Sequence, residues 1–188
     1  MNLLLVQAGE STWEQEGRIE APSGAPLTED GFKHATRIAE QLRGRGARTI
    51  YASDADAEQQ TAKVVAHQLK LRMHTDPLLN DLDFGLWQGL LIEDIRQRQP
   101  KLFKQWLESP ADTCPPGGEP LQDAQARLLG SLRLLMRHTR RLPMVVVLRP
   151  LAMGLVRCHL DGVNLTDLWS VVDREFTFAG YSVNPQHF

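Results

Sequence analysis

At 188 residues with 42% hydrophobic content, the chain is long enough to bury the core of one domain spanning 1–188, and no linker, repeat or low-complexity tract divides it. A formal net charge of −2 gives no electrostatic reason to expect nucleic acid or an anionic membrane as a partner. No apolar run approaches the ~20 residues of a spanning helix, and the amino terminus lacks a cationic leader with a cleavage site. Two cysteines, Cys114 and Cys158, make neither a disulfide framework nor a thiolate metal site, and cytoplasmic residence is the expectation.

Strand and helix patterns alternate along the chain, which implies α/β layers. The apolar run 3–6 reads as a strand covered on both faces. A Gly/Pro-rich loop over 21–27 leads to Thr28, which with Glu29 and Asp30 behind it makes an N-cap and an acidic first turn. Phe32, Ala35, Ile38, Ala39 and Leu42 follow at helical spacing, with a stop at Gly44 or Gly46. A second strand is expected over 49–52 and a second helix over 55–69, while 78–84 reads as irregular or extended. Pro100 splits two short helices, 93–99 and 101–108, and 110–118 is a loop rich in proline and glycine. A long helix from Glu119 carries Leu121, Ala124, Leu128, Leu132 and Leu135 on one face. The basic group Arg133, Arg137, Arg140 and Arg141 at its end is more simply a solvated helix terminus than an anion-binding patch. Residues 144–148 form the clearest buried strand, followed by a helix through Leu160 and by strands near Ser170 and over 176–183.

Short strings placed along this framework carry more information. The first strand runs into Gln7-Ala8-Gly9-Glu10-Ser11, then Trp13-Glu14, then Gly17-Arg18. Pro26-Leu27-Thr28-Glu29-Asp30-Gly31 follows, and Ser53 to Ala62 opens the second helix with Gln60-Thr61-Ala62. Leu79-Asn80-Asp81 precedes Phe84-Gly85-Leu86-Trp87-Gln88-Gly89, Gly117-Gly118-Glu119 comes later, and Leu148-Arg149-Pro150 ends the buried strand. In this order the strings resemble the histidine phosphatase superfamily, the phosphoglycerate mutase-like family. Its corresponding signatures are Arg-His-Gly-Glu-Thr, Trp-Asn, Gly-Arg, Pro-Leu-Thr, Ser-x-Leu-x-Arg-Ala-x-Gln-Thr-Ala, Leu-x-Glu, Phe-Gly-x-Trp-Glu-Gly, Gly-Gly-Glu-Ser and Ser-His-Gly. The resemblance implies a three-layer α/β/α sandwich around a mostly parallel sheet, with 84–121 as a lid or insert over the pocket.

The departures bear on chemistry. The resemblance places a phosphate above the carboxyl ends of the strands, held by two arginines, two histidines and an asparagine, with one histidine as nucleophile. Those positions fall on Gln7, Ala8, Glu14, Ala57 and Arg149, and all five differ in type. Ala8, at the nucleophile position, has no lone pair. Gln7 and Ala57 remove two bidentate guanidinium forks, and Glu14 puts a carboxylate where a neutral donor stood. At ~5 Å and an effective dielectric of ~20, each unit repulsion costs roughly 3 kcal/mol. Only the acid position keeps its kind, as Asp81. Arg18 and Ser53 complete the former phosphate pocket, and none of the six histidines aligns with it. Ser53 and Ser11 are nucleophile candidates only if a base stands beside them.

Arg149 is expected to turn into the vacated space and pair with Glu14 or Asp81, because a partly buried carboxylate without a partner is costly. Glu14, Glu20 and Asp81 suit a hard cation, but are more simply solvated or paired with Arg149 and Arg18, so neither metal nor cofactor is expected. Trp13, Trp87, Trp106 and Trp169 read as core or lid packing, and Gly117-Gly118 as a loop over the pocket mouth. The leading expectation is a catalytically inactive pseudophosphatase that binds a protein partner or a small non-phosphate ligand, as a monomer or homodimer. A hydrolase with altered or residual phosphoester activity, and a scaffold without ligand, are the alternatives.

Overall fold

The computed structural model of the protein describes residues 2–139, 142–172, 178–184 and 186. Five strands form one sheet in the order β3-β2-β4-β1-β5. Strands β1 (Leu3–Gln7), β2 (Thr49–Ala52), β3 (Arg72–Thr75) and β4 (Met144–Leu148) run parallel, and β5 (Phe178–Tyr181) pairs antiparallel with β1. Strands β1 and β4 are buried along their whole length, as their unbroken apolar sequences require.

Alternation along β1 divides the core into two layers. Leu4 and Val6 face one cluster with Ile38, Ala39 and Leu42 of α2 (Glu29–Leu42) and Ala62, Val65 and Ala66 of α3 (Asp56–Leu69). Leu3 and Leu5 face the other, built with α6 (Leu121–His138), α7 (Pro150–Asp161) and the tryptophans Trp87 and Trp106. The short helices α1 (Thr12–Gln15), α4 (Ile92–Arg98), α5 (Pro100–Glu108) and α8 (Leu168–Val171) complete the inventory. This is the three-layer α/β/α sandwich.

The caps follow the sequence reading. Thr28 accepts from the Gly31 amide at 3.0 Å, and Pro150 occupies the first turn of α7, where its missing N–H is not needed. Pro100 does not leave a gap but opens α5 for the same reason. The bounds of α2, α3, α4 and α6 differ from the expected ones by a few residues at most.

Three readings are corrected. Residues around Ser170 form α8 rather than a strand, because Leu168 and Val171 are spaced to bury one helical turn against α7. The edge strand β3 was not anticipated, since only Met73 of its four residues packs against an apolar cluster. Phe32, placed on the inner face of α2 by periodicity, is 43% exposed; the close backbone approach of Gly31 to Glu10 in the first turn leaves no depth for it. In the expected strand 176–183, β5 is formed by Phe178–Tyr181, and residues 176–177 lie outside the described residues, as do Arg140 and Arg141 of the basic group.

Candidate functional site

The carboxyl ends of β1, β2 and β4 lie side by side, with Gln7 level with Leu148 and Ala52 with Val147. The residues that follow them, Ala8, Ser53 and Arg149, therefore meet at one edge of the sheet, the usual place for a ligand crevice in an open α/β fold. The turn after β1 is held by Ala8 N–H donating to the Leu148 carbonyl at 2.8 Å and Gly9 N–H donating to Thr61 Oγ1 at 3.0 Å. Glycine is needed at Gly9, because a Cβ there would overlap the Gly31 carbonyl.

Arg149 occupies the centre of this edge. It is the N-cap residue of α7 and its side chain is 5% exposed. Its Nη2 donates to Glu20 Oε1 at 2.9 Å and to Glu14 Oε2 at 3.1 Å, and Nη1 donates to the Gly9 carbonyl at 3.2 Å. Glu20 is 11% exposed and Glu14 41%, so the Glu20 contact is the desolvated one. Ser11 Oγ donates to Glu20 Oε1 and accepts from the Glu14 amide, so one hydroxyl orders both carboxylates.

Two further acids stand behind the guanidinium. Asp81 is partly exposed as a residue, but its carboxyl is enclosed and accepts from the Ala152 amide in the first turn of α7 at 2.9 Å. Burial pushes its pKa up to about 6, against the opposing pull of Arg149. Arg127 fixes the backbone leading into it by donating to the carbonyls of Leu78, Asn80 and Asp81 itself. Glu58, in the first turn of α3, is fully buried and accepts from Ser53 Oγ at 3.1 Å. Burial raises it to about 7, again against Arg149. For Arg149 itself burial works against the charge, and Glu20, Glu14, Glu58 and Asp81 together overcome it and raise its pKa.

Beside this cluster lies a cavity of about 240 Å³. Gln7 and Ala8 form part of its lining, with Glu10, Glu14 and Asp30 among its walls; His34 and Arg37 of α2 complete it. Burial, reinforced by Arg37, lowers the His34 pKa. The walls thus carry three carboxylates against one guanidinium and an imidazole held toward its neutral form. Among the described residues no group of three or more His, Cys, Asp or Glu side chains is arranged to hold a metal ion.

The expected pairing of Arg149 with Glu14 is present, while Asp81 is held by a helix amide instead. Arg18, placed in the pocket by sequence, lies outside it: it pairs with Glu16 at 2.6 Å and donates to the Gly89 carbonyl at 2.9 Å. Ala57 is buried in α3. Trp87 and Trp106 are core residues packed edge to face, and Trp169 packs on Trp106. Gly117 and Gly118 pack against the chain at Asp83–Gly85 rather than lining the cavity, and residues 84–121 contribute none of its lining.

Two groups were missed by sequence reasoning. His34 reaches the cavity although no histidine aligns with the pocket, because it sits one helical turn beyond Asp30 on the same face of α2. Glu58 stands at an alanine of the second signature, and that change from a methyl to a carboxylate was the signal available.

Residues 3–177 match the model of the histidine phosphatase superfamily, branch 1. The chain belongs to that superfamily. Among its relatives, phosphoserine phosphatase 1 of Hydrogenobacter thermophilus is 30% identical over 170 residues, covering 90% of this chain and 81% of that protein. The probable phosphoglycerate mutase GpmB of Yersinia pestis is 32% identical over 132 residues, 70% of this chain and 61% of that protein, so the chain spans under two thirds of that relative's length. The solved structure of Bacillus stearothermophilus YhfR superposes with a TM-score of 0.83 at 27% identity, covering 90% of this chain and 84% of that one.

Proposed function

We propose that this chain is a pseudophosphatase: a histidine phosphatase fold that does not turn over phosphoesters and instead binds a protein segment or a small molecule other than phosphate. The observation that carries this reading is Arg149, a cation already shared between Glu14 and Glu20. A phosphate entering beside it would have to displace two carboxylates from a guanidinium that is almost wholly buried, and would meet Glu58 and Asp81 behind it. Ala8 supplies no nucleophile. Of the two serine candidates, Ser11 donates to Glu20, a carboxylate already committed to Arg149, and Ser53 to Glu58 in the core; both serines are fully buried, which disfavours either as a nucleophile. The relatives' phosphatase and mutase names therefore carry over as fold and not as chemistry.

The ligand that suits the cavity is neutral or cationic, since Glu10, Glu14 and Asp30 face it against Arg37. Purified protein assayed with p-nitrophenyl phosphate is expected to give no turnover, and titration with orthovanadate no saturable shift of the Gln7, Ala8 or Arg149 resonances. Turnover that disappears in Asp81→Ala, or saturable vanadate shifts at Gln7, Ala8 and Arg149 that inorganic phosphate competes away, overturns the reading and favours a residual hydrolase.

A further inference from the structure

We propose that the opposite end of the sheet carries a second site, one that binds a small dianion of the phosphate monoester or phosphonate class. The site is independent of the old pocket and of the reading given to it. It is a cavity of about 320 Å³ between the amino ends of β2 and β3 and the last turn of α6, at the small end of the range for ligand sites.

Its construction follows from register. Thr49 pairs with Arg72 and Tyr51 with His74, so these four side chains project from the same face of the two strands. The other face is filled by Ile50, Ala52 and Met73 in the α2–α3 layer. Among the described residues, the end of α6 reaches over this face through Leu135, His138 and Thr139.

Its chemistry is one-sided. The ionisable nitrogen groups lining the cavity are Arg72, His74 and His138, and among the described residues no carboxylate lines it. Arg72 makes no ion pair or side-chain hydrogen bond among the described residues. In a protein of net charge −2 an uncommitted guanidinium at a cavity mouth is a donor fork for a phosphate-like group. The Tyr51 hydroxyl has no hydrogen-bond partner among the described residues, and its ring is fixed by stacking on His74 at 5.0 Å between centroids. The end of α6 presents carbonyls, which disfavour an anion, but Arg137 and His138 in its last turn offset that partial charge. His138 also has one ring nitrogen engaged by the Leu134 carbonyl at 2.8 Å, leaving the other to face a ligand.

Phenylphosphonate, a dianion with one planar ring, is the probe, followed by amide and ring resonances in a two-dimensional NMR titration of the full chain. Saturable shifts at Tyr51, Arg72 and His74, with a Kd near or below about 1 mM, are expected. Arg72→Ala should weaken binding by about tenfold or more, and Tyr51→Phe, which keeps the stacked ring and loses only the hydroxyl, by about fivefold. Arg72 is exposed, so its variant will fold, and an unchanged melting temperature verifies this. Absence of saturable shifts, equal binding by Arg72→Ala, or shifts confined to Gln7, Ala8 and Arg149 each overturn the proposal, and only the last also speaks against the pseudophosphatase reading.

Discussion

Replacing Arg149 with methionine keeps most of the apolar stem and deletes the charge, which isolates the electrostatic role of the residue. The Glu14 contact is 41% exposed on the carboxylate side and contributes at most about 1 kcal/mol. The Glu20 contact is desolvated on both sides, and breaking such a pair costs roughly 3–5 kcal/mol because the remaining charge is left buried. The net loss should be about 3 kcal/mol at pH 8, lowering the melting temperature by roughly 6–12 °C for a chain of this size. The loss should shrink on acidification, since Glu58 and Asp81, already raised by burial, then take up protons instead of facing one another as anions. Guanidinium denaturation at pH 8 and pH 5 measures both parts, and Arg149→Met with Glu20→Gln should recover most of the deficit at pH 8. A loss below about 1 kcal/mol, or one that does not change between the two pH values, would refute the view that this cation neutralises the site.

Wild-type stability should itself depend on pH through Glu58 and Asp81. Both have folded pKa values above their ordinary ones, about 7 and about 6, so the native state retains protons that the unfolded chain releases. Their contribution is complete below the ordinary carboxylate range and is lost as pH rises through those two values. Glu58→Gln should therefore stabilise the protein at pH 8, by up to on the order of 3 kcal/mol, and the gain should vanish near pH 4.5. Gly9→Ala should destabilise by roughly 2 kcal/mol, because the new methyl meets the Gly31 carbonyl; a neutral result in thermal melts would show that the β1–α2 approach can relax. Joint reversion of Gln7→Arg, Ala8→His, Glu14→Asn, Ala57→Arg and Arg149→His should restore phosphate binding measurable by calorimetry. Adding Glu58→Ala should tighten it by about tenfold, since a buried carboxylate no longer opposes the anion.

The layered architecture was legible because the buried strands 3–6 and 144–148 and the helix faces of 35–42 and 121–135 repeat their apolar residues at the periods of the elements they form. The family was legible because its short strings, punctuated by glycines and prolines, stand in the same order along the chain. What escaped was set by tertiary placement. The strand β3 takes its identity from pairing with β2, not from its own polar sequence. Glu20 joins Arg149 only because the α1 turn folds back through Ser11. Arg18 leaves the pocket because the Gly89 carbonyl and Glu16 offer it nearer partners, and His34 enters it because α2 begins one turn earlier, at a face no local pattern identifies as a wall.

The sharing of one guanidinium among several acids also couples its neighbours to one another. Arg149→His alone would strand Glu14 and Glu20, and Ala8→His alone would add an imidazole beside a centre that is already occupied. Changes at this edge of the sheet are therefore non-additive, and only substitutions made together can exchange one charge arrangement for another.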